Sequence, residues 1–366
     1  MGSAQGLATT PAQTFDQTAP FGGRLAAPPI ADVNGDGFAD LVLVRASQEG
    51  TGASDIVQYF GGREGLSAPP ARVLTHEAVF THSERMVTAD FNGDGFADLA
   101  LQTDTGGSTF RATVFLGSPD GLRGEAWATA EETSRGDHAL FFSVAGSGDF
   151  DADGYADLLL QGLGDIASRV TVFRGTPRGM IESVSAPVAT LVGLSGERLA
   201  WVPGDVNGDH YDDVIGISPM HGSLDVFFGG ANGLATAPSQ TLEPSIGEDF
   251  AQLVAWGDFN GDGMDDALAA SVAAGSTQRI VLFSGSLHGL APATYWSISD
   301  PIAGANGEGI EARDFDGDGF ADTVLGWTTI ENGGMTTTNR AMVVRGGAVS
   351  PSTPDAPFIV DSTVWR

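Results

Sequence analysis

One decapeptide recurs six times in this chain, and it constrains the fold more than any other feature. The first copy runs from Asp32 to Leu41 as DVNGDGFADL, the second from Asp90 to Leu99 as DFNGDGFADL and the third from Asp149 to Leu158 as DFDADGYADL. The fourth runs from Asp205 to Val214 as DVNGDHYDDV, the fifth from Asp258 to Ala267 as DFNGDGMDDA and the sixth from Asp314 to Thr323 as DFDGDGFADT. Their first aspartates stand 58, 59, 56, 53 and 56 residues apart. A near-constant period marks one supersecondary unit repeated along the chain, each copy burying its apolar faces against its neighbours.

A second landmark follows each decapeptide by about 20 residues: an apolar strand ending in a glycine turn. It reads Tyr59-Phe60-Gly61-Gly62, Val114-Phe115-Leu116-Gly117, Val172-Phe173-Arg174-Gly175, Val226-Phe227-Phe228-Gly229, Leu282-Phe283-Ser284-Gly285 and Val344-Arg345-Gly346-Gly347. Glycine is 52 of 366 residues, which suits many tight turns between short strands. Each unit reads as four strands. One precedes the decapeptide, as at Gln252 to Trp256, and one follows it, as at Ala156 to Gln161. The aromatic strand is third, as at Arg169 to Phe173, and a more polar outer strand is fourth, as at Pro238 to Leu242. Four-stranded units of roughly 40–60 residues are the blades of a β-propeller. The expected architecture is all-β: one β-propeller domain over residues 1–366, with six four-stranded blades and seven as the alternative. The ends pose a question. Gly6 to Thr14 echoes Gly233 to Thr241 and reads as an outer strand that fastens the ring. Ala356 to Val360 reads as an outer strand for the same blade.

The decapeptide carries oxygen ligands at alternating positions. Positions 1, 3 and 5 are Asp, then Asn or Asp, then Asp; position 9 is Asp in all six copies. This resembles the start of an EF-hand loop, with Asp at 9 closing a tighter turn than the EF-hand's Glu at 12. Glycine at 6 lets the backbone wrap around an ion. An all-oxygen set without His or Cys favours Ca2+ over zinc or copper, with Mg2+ and Mn2+ as weaker fits. Loops one, two, four and five place three carboxylates at these positions, and loops three and six place four. Without metal such clusters repel one another at a few Å. The competing reading is a set of Asx-turns, since Asp, Asn and Gly are also turn residues. His210, where glycine is expected, makes loop four the weakest candidate, and Ala152 replaces glycine at position 4 of loop three.

The net charge is −30, from 47 acidic and 17 basic residues, and all 17 are Arg. That excludes a nucleic-acid or anionic-membrane surface, both of which need basic patches. Of the acids, 33 are Asp, whose short carboxylate suits hard cations in tight loops. No run of 18 apolar residues is present, so membrane insertion is not expected. There is no Cys. A secreted chain without disulfides must gain stability elsewhere, which metal ions could supply, but a cytosolic chain would show the same absence, so this does not decide compartment. Met1-Gly2-Ser3 reads as an expression junction that replaces a native leader.

On these loops and Phe-Gly turns, the chain resembles the FG-GAP (or VCBS) repeats of integrin α-subunit propellers and their bacterial and fungal relatives. The resemblance covers nearly the whole chain. It implies that each loop joins the first two strands of a blade and holds calcium through positions 1, 3, 5 and 9 and the carbonyl of 7. The ligands so implied are Asp32, Asn34, Asp36, Phe38 and Asp40; Asp90, Asn92, Asp94, Phe96 and Asp98; Asp149, Asp151, Asp153, Tyr155 and Asp157. They continue as Asp205, Asn207, Asp209, Tyr211 and Asp213; Asp258, Asn260, Asp262, Met264 and Asp266; and Asp314, Asp316, Asp318, Phe320 and Asp322. Up to six Ca2+ are expected. Departures are His210, the absence of Gly-Ala-Pro after most Phe-Gly turns, and six repeats where integrins have seven.

The resemblance implies an extracellular or cell-surface binding or adhesion module for a protein or glycan. The alternatives are a non-catalytic propeller of a larger secreted polysaccharide- or lipid-active enzyme, or a spacer between other domains. No GxSxG elbow and no HExxH motif is present, and the six histidines share no register, so no catalytic residue is assigned. The six tryptophans (127, 201, 256, 296, 327 and 365) stack on sugars if exposed and pack between blades if not. Arg135-Gly136-Asp137 is an RGD tripeptide, read as incidental in a chain so rich in Gly and Asp.

Overall fold

Short apolar strands between turn glycines are what the repeats encode, and strands are what form. The structure is a computed structural model. It describes residues 30–45, 54–63, 65–76, 86–104, 109–133, 139–164, 168–178, 189–194, 202–218, 222–244, 248–273, 278–297, 310–312, 314, 318–331, 336–347 and 364–365. No helix occurs among them. They fall into two compact units of three sheets each.

In the first unit, one sheet holds β1 (Ile30–Ala31), β2 (Asp40–Arg45), β3 (Ser54–Tyr59) and β4 (Arg72–His76). The next holds β5 (Met86–Ala89), β6 (Asp98–Asp104), β7 (Thr109–Phe115) and β8 (Ala126–Thr133). The third holds β9 (Ala139–Gly148), β10 (Asp157–Gly164), β11 (Ser168–Phe173) and β12 (Ala189–Leu194). In the second unit, β13 (Val202–Gly204), β14 (Asp213–Ser218), β15 (Ser223–Phe227) and β16 (Gln240–Leu242) form one sheet. A second joins β17 (Glu248–Gly257), β18 (Asp266–Ala273), β19 (Gln278–Ser284) and β20 (Ala291–Ser297). The last elements are β21 (Ile310–Glu311), β22 (Thr323–Glu331), β23 (Thr336–Val344) and β24 (Val364–Trp365).

Within each sheet the strands run in chain order and pair antiparallel, as the four-strand reading expects. The sixth repeat differs. Its short first strand β21 pairs parallel with β17 of the preceding sheet, Ala255 opposite Ile310, leaving β22, β23 and β24 as a three-stranded sheet. Val364 and Trp365 pair with Thr337 and Thr336. The two outer-strand candidates at Gly6 to Thr14 and Ala356 to Val360 lie outside the described residues.

The core explains why no repeat stands alone. Leu99, Leu101 and Phe115 of the second sheet pack with Val42 and Ile56 of the first. Ala100, Ala112 and Val114, the alternate residues of the same strands, pack with Val144, Leu158 and Leu160 of the third. Side chains alternate across a strand, so this sheet buries both faces, one against each neighbour. The second unit repeats the arrangement. Ala267, Ala269 and Val281 meet Ile215 and Val226. Leu268 and Leu282 meet Val344. Strand β15 is buried at all five residues, whereas the outer β16 is partly exposed. Trp127 and Trp256 pack against these cores. The other four tryptophan side chains lie outside the described residues.

Candidate metal centres

Each of the first five decapeptides forms the hairpin loop between the first two strands of its repeat. Its position-9 aspartate is the first residue of the second strand, opposite the last residue of the first: Ala31 with Asp40, Ala89 with Asp98, Gly148 with Asp157, Gly204 with Asp213 and Gly257 with Asp266. The position-2 side chains Val33, Phe91, Phe150, Val206 and Phe259 point inward and are fully buried. They anchor the loop while its acids stay at the rim.

The position-1 carboxylate organises the turn. In all six loops one oxygen accepts from the position-5 N–H at 3.1–3.2 Å. The other accepts from the position-6 N–H at 2.8–2.9 Å. The position-3 Oδ1 accepts from the same position-5 N–H in loops one to five. The position-5 Oδ1 accepts from the position-7 N–H. Successive bonds curl the acids of positions 1, 3 and 5 toward one centre. In loop three, ligand atoms of Asp149, Asp151 and Asp153 all lie within 4.8 Å of one another. Oxygens bound to one Ca2+ at 2.3–2.6 Å stand at most about 5 Å apart, so this donor set fits that ion. Asp316 lies outside the described residues.

Position 9 is more than a ligand candidate. Asp40, Asp98, Asp157, Asp213, Asp266 and Asp322 are all buried. One oxygen of each accepts from the turn glycine just beyond the third strand: Gly61, Gly117, Gly175, Gly229, Gly285 and Gly346, at 2.7–3.0 Å. In four loops the other oxygen accepts from the position-2 N–H at 3.0–3.1 Å. Pairing of Leu99 with Phe115, and of its equivalents, sets the two landmarks side by side. A carboxylate oxygen has two lone pairs, so these bonds leave capacity for an ion. The link between the landmarks was not legible in the sequence, although both were; a shared end of two antiparallel strands was the available signal.

His210 does not disturb its loop. Its N–H donates to Asp205 at 2.8 Å, as glycine does elsewhere, and its side chain is almost wholly exposed. Position 6 has open space: a side chain on Gly37 or Gly95 meets nothing within 4 Å. Position 4 does not. A Cβ on Gly93 lies 2.5 Å from the Tyr155 ring, and one on Gly35 lies 2.5 Å from the Phe96 ring. Phe96, Tyr155, Met264 and Phe320 thus each cover the preceding loop of their own unit. The backbone follows, with Ala97 N–H donating to Asp32 and Ala156 N–H to Asp90. Gly93→Ala is therefore expected to cost about 2–4 kcal/mol, from a positive φ and a clash together. Gly95→Ala costs only about 1–2 kcal/mol for the φ. Paired urea titrations check the ordering, and equal midpoints refute the stacking.

Burial pushes the carboxyls of Asp98, Asp157, Asp213 and Asp266 up to about 7. For Asp98 the neighbouring Asp94 and Asp90 push the same way, against the hydrogen bonds from Gly117 and Phe91. These values lie above the unfolded carboxyl's, so the metal-free fold binds more protons than the unfolded chain. Its stability is expected to fall as pH rises from 5 through 7, then level off. With Ca2+ the sign reverses, because the ion and protons compete: affinity rises up to about pH 7. Thermal melts of metal-free and calcium-loaded protein between pH 5 and 8 test both slopes.

The model of the FG-GAP-like repeat family matches residues 32–101 and 205–269. Human integrin alpha-IIb is 29% identical over 175 residues, covering 44% of this chain and 16% of the integrin. Human integrin alpha-7 is 30% identical over 166 residues, covering 44% and 13%. The chain thus spans less than a fifth of these relatives' length. Among solved structures, the periplasmic gluconolactonase PpgL of Pseudomonas aeruginosa superposes with a TM-score of 0.54 at 13% identity, over 98% of this chain and 91% of that one. That is a likeness of fold. Sheets that bury both faces against their neighbours, and loops in one register with the family's motif, lead to one reading: the chain is a β-propeller that carries FG-GAP-like repeats at residues 32–101 and 205–269 and is similar to integrin α-subunits over 44% of its length.

Proposed function

We propose that the protein is an extracellular calcium-binding propeller that serves as a binding or adhesion module for a protein or glycan, with up to six Ca2+ acting as structural ions. The observation that carries the calcium reading is the convergence of Asp149, Asp151 and Asp153 in a loop whose hydrogen bonds recur in every repeat. The ion's chemistry in such a loop is to neutralise carboxylates and fix the turn. The loop acids are taken up by that task, and the described histidine side chains, His210 and His288, are exposed and far apart in sequence. The reading is therefore of a protein without a catalytic centre. An outside location accords with the calcium reading, since extracellular modules work at about 10⁻⁴–10⁻³ M calcium. No helix among the described residues is long and apolar enough to cross a membrane.

Calorimetric titration of metal-free protein with Ca2+ and, separately, Mg2+ tests the metal. Several calcium sites with weaker magnesium binding are expected; no heat with either ion refutes the reading. Immobilised protein presented to glycan and extracellular-protein panels, with Ca2+ and with EDTA, tests the module. Calcium-dependent capture of one ligand class is expected, and the absence of any capture counts against adhesion.

A further inference from the structure

Ligand position 3 is Asn34, Asn92, Asn207 and Asn260 in four loops but Asp151 and Asp316 in loops three and six. The residue before the turn glycine is Phe60, Leu116, Phe228 or Ser284 in those four repeats, and Arg174 or Arg345 in the other two. The two exchanges fall in the same two repeats, and the third sheet shows why. In loops one and two the asparagine works at both ends. Its Oδ1 accepts from the position-5 N–H, and its Nδ2 donates to the position-5 carboxylate at 3.0–3.1 Å. Asp151 keeps the first bond, accepting from Asp153 N–H at 3.2 Å, but has no N–H to donate. Its carboxylate instead shares a cluster with that of Asp153, ligand atoms within 4.8 Å, as a like charge. The Arg174 guanidinium fills that place. Its Nη2 contacts Asp151 Oδ2, and its Nε lies 4.0 Å from Asp153 Oδ2. The Asp151 side chain is 2% exposed beneath it, while Arg174 stays 40% exposed.

We propose that Arg174 is the built-in counter-charge of loop three, a positioning residue that holds Asp151 and Asp153 in the ligand arrangement before metal arrives and tempers the loop's calcium affinity. With it, four carboxylates carry the net charge of the three-carboxylate loops. Asp316 lies outside the described residues, so the proposal is confined to loop three. The affinity half rests on the calcium reading above; the pairing half does not.

A double-mutant cycle tests it, using Arg174→Leu, Asp151→Asn and the pair, which recreates the Asn92 and Leu116 combination of the second repeat. Without metal, each single variant is expected to melt below the parent and the pair to recover most of the loss. Arg174→Lys, which keeps the charge without the planar fork, falls between parent and Arg174→Leu and serves if the latter does not fold. With Ca2+, Arg174→Leu gains more than the parent, and one site tightens about threefold to tenfold, the scale of removing one cation from the edge of a divalent site. Additive single effects without metal overturn the pairing. An unchanged calcium affinity in Arg174→Leu overturns the tuning. A parent that binds no calcium sinks the metal reading instead, and the metal-free cycle still decides the pairing.

Discussion

Removal of calcium is expected to lower the melting temperature by more than about 10 °C. An ion held at 100 times its Kd stabilises the fold by about 2.7 kcal/mol. Two such loops in one unit, at about 2–4 °C per kcal/mol for a body of 150–250 residues, reach that shift. The sign follows from the loops. Without an ion, Asp149, Asp151 and Asp153 converge within 4.8 Å with one guanidinium against them. A buried Asp157 below adds a further carboxyl. Differential scanning calorimetry with Ca2+, with EDTA, and with EDTA in 1 M NaCl separates the contributions. Salt screens the exposed acids over about 3 Å but cannot coordinate, so it restores only part of the loss. Coincident melts with and without chelator would falsify the structural role of the ion.

The decapeptide made most of this legible because loop chemistry is local. Alternating oxygens, the turn glycine and the apolar position 2 all act within ten residues, and the structure forms the hairpin loops where the spacing places them. The four-strand reading holds in the first five repeats for the same reason: strand periodicity survives in a single sequence, although the burial of Ser223 and Asp225 with the apolar residues of β15 does not follow from it. Contacts set by register between distant strands were less visible. The bond from Gly117 to Asp98 spans 19 residues, and its logic appears only when Leu99 and Phe115 are paired. Arg174 was visible only as one residue of the third glycine turn until the fold set it against Asp151. The parallel pairing of β21 with β17 is likewise a matter of which edge is nearest, and nothing in Ile310 or Glu311 encodes it. The RGD tripeptide lies outside the described residues.

The position-9 aspartate and the position-5 aspartate are expected to part company when each is truncated without metal. Asp98→Ala leaves Phe91 N–H and Gly117 N–H, now bonded at 3.0 and 2.8 Å, without acceptors inside the fold. An unsatisfied buried donor costs about 1–3 kcal/mol, so the pair costs about 2–6 kcal/mol. Asp98→Asn is no remedy, because its Nδ2 turns a donor toward a donor. Asp94 is exposed, and among the described bonds its carboxylate accepts from Phe96 N–H and from Asn92 Nδ2. Removing it also relieves a like charge that pushes the Asp98 carboxyl up. Asp94→Ala is therefore expected to leave the metal-free stability within about 1 kcal/mol of the parent. With Ca2+ both losses grow by the same amount and the gap between them stays, since both variants abolish the site in loop two and calorimetry counts one ion fewer in each. Denaturant titrations of both variants, with calcium and with chelator, read the two roles separately. Equal metal-free losses would mean that the position-9 carboxylate is no more a part of the framework than its exposed neighbour, and that the burial of all six has another cause.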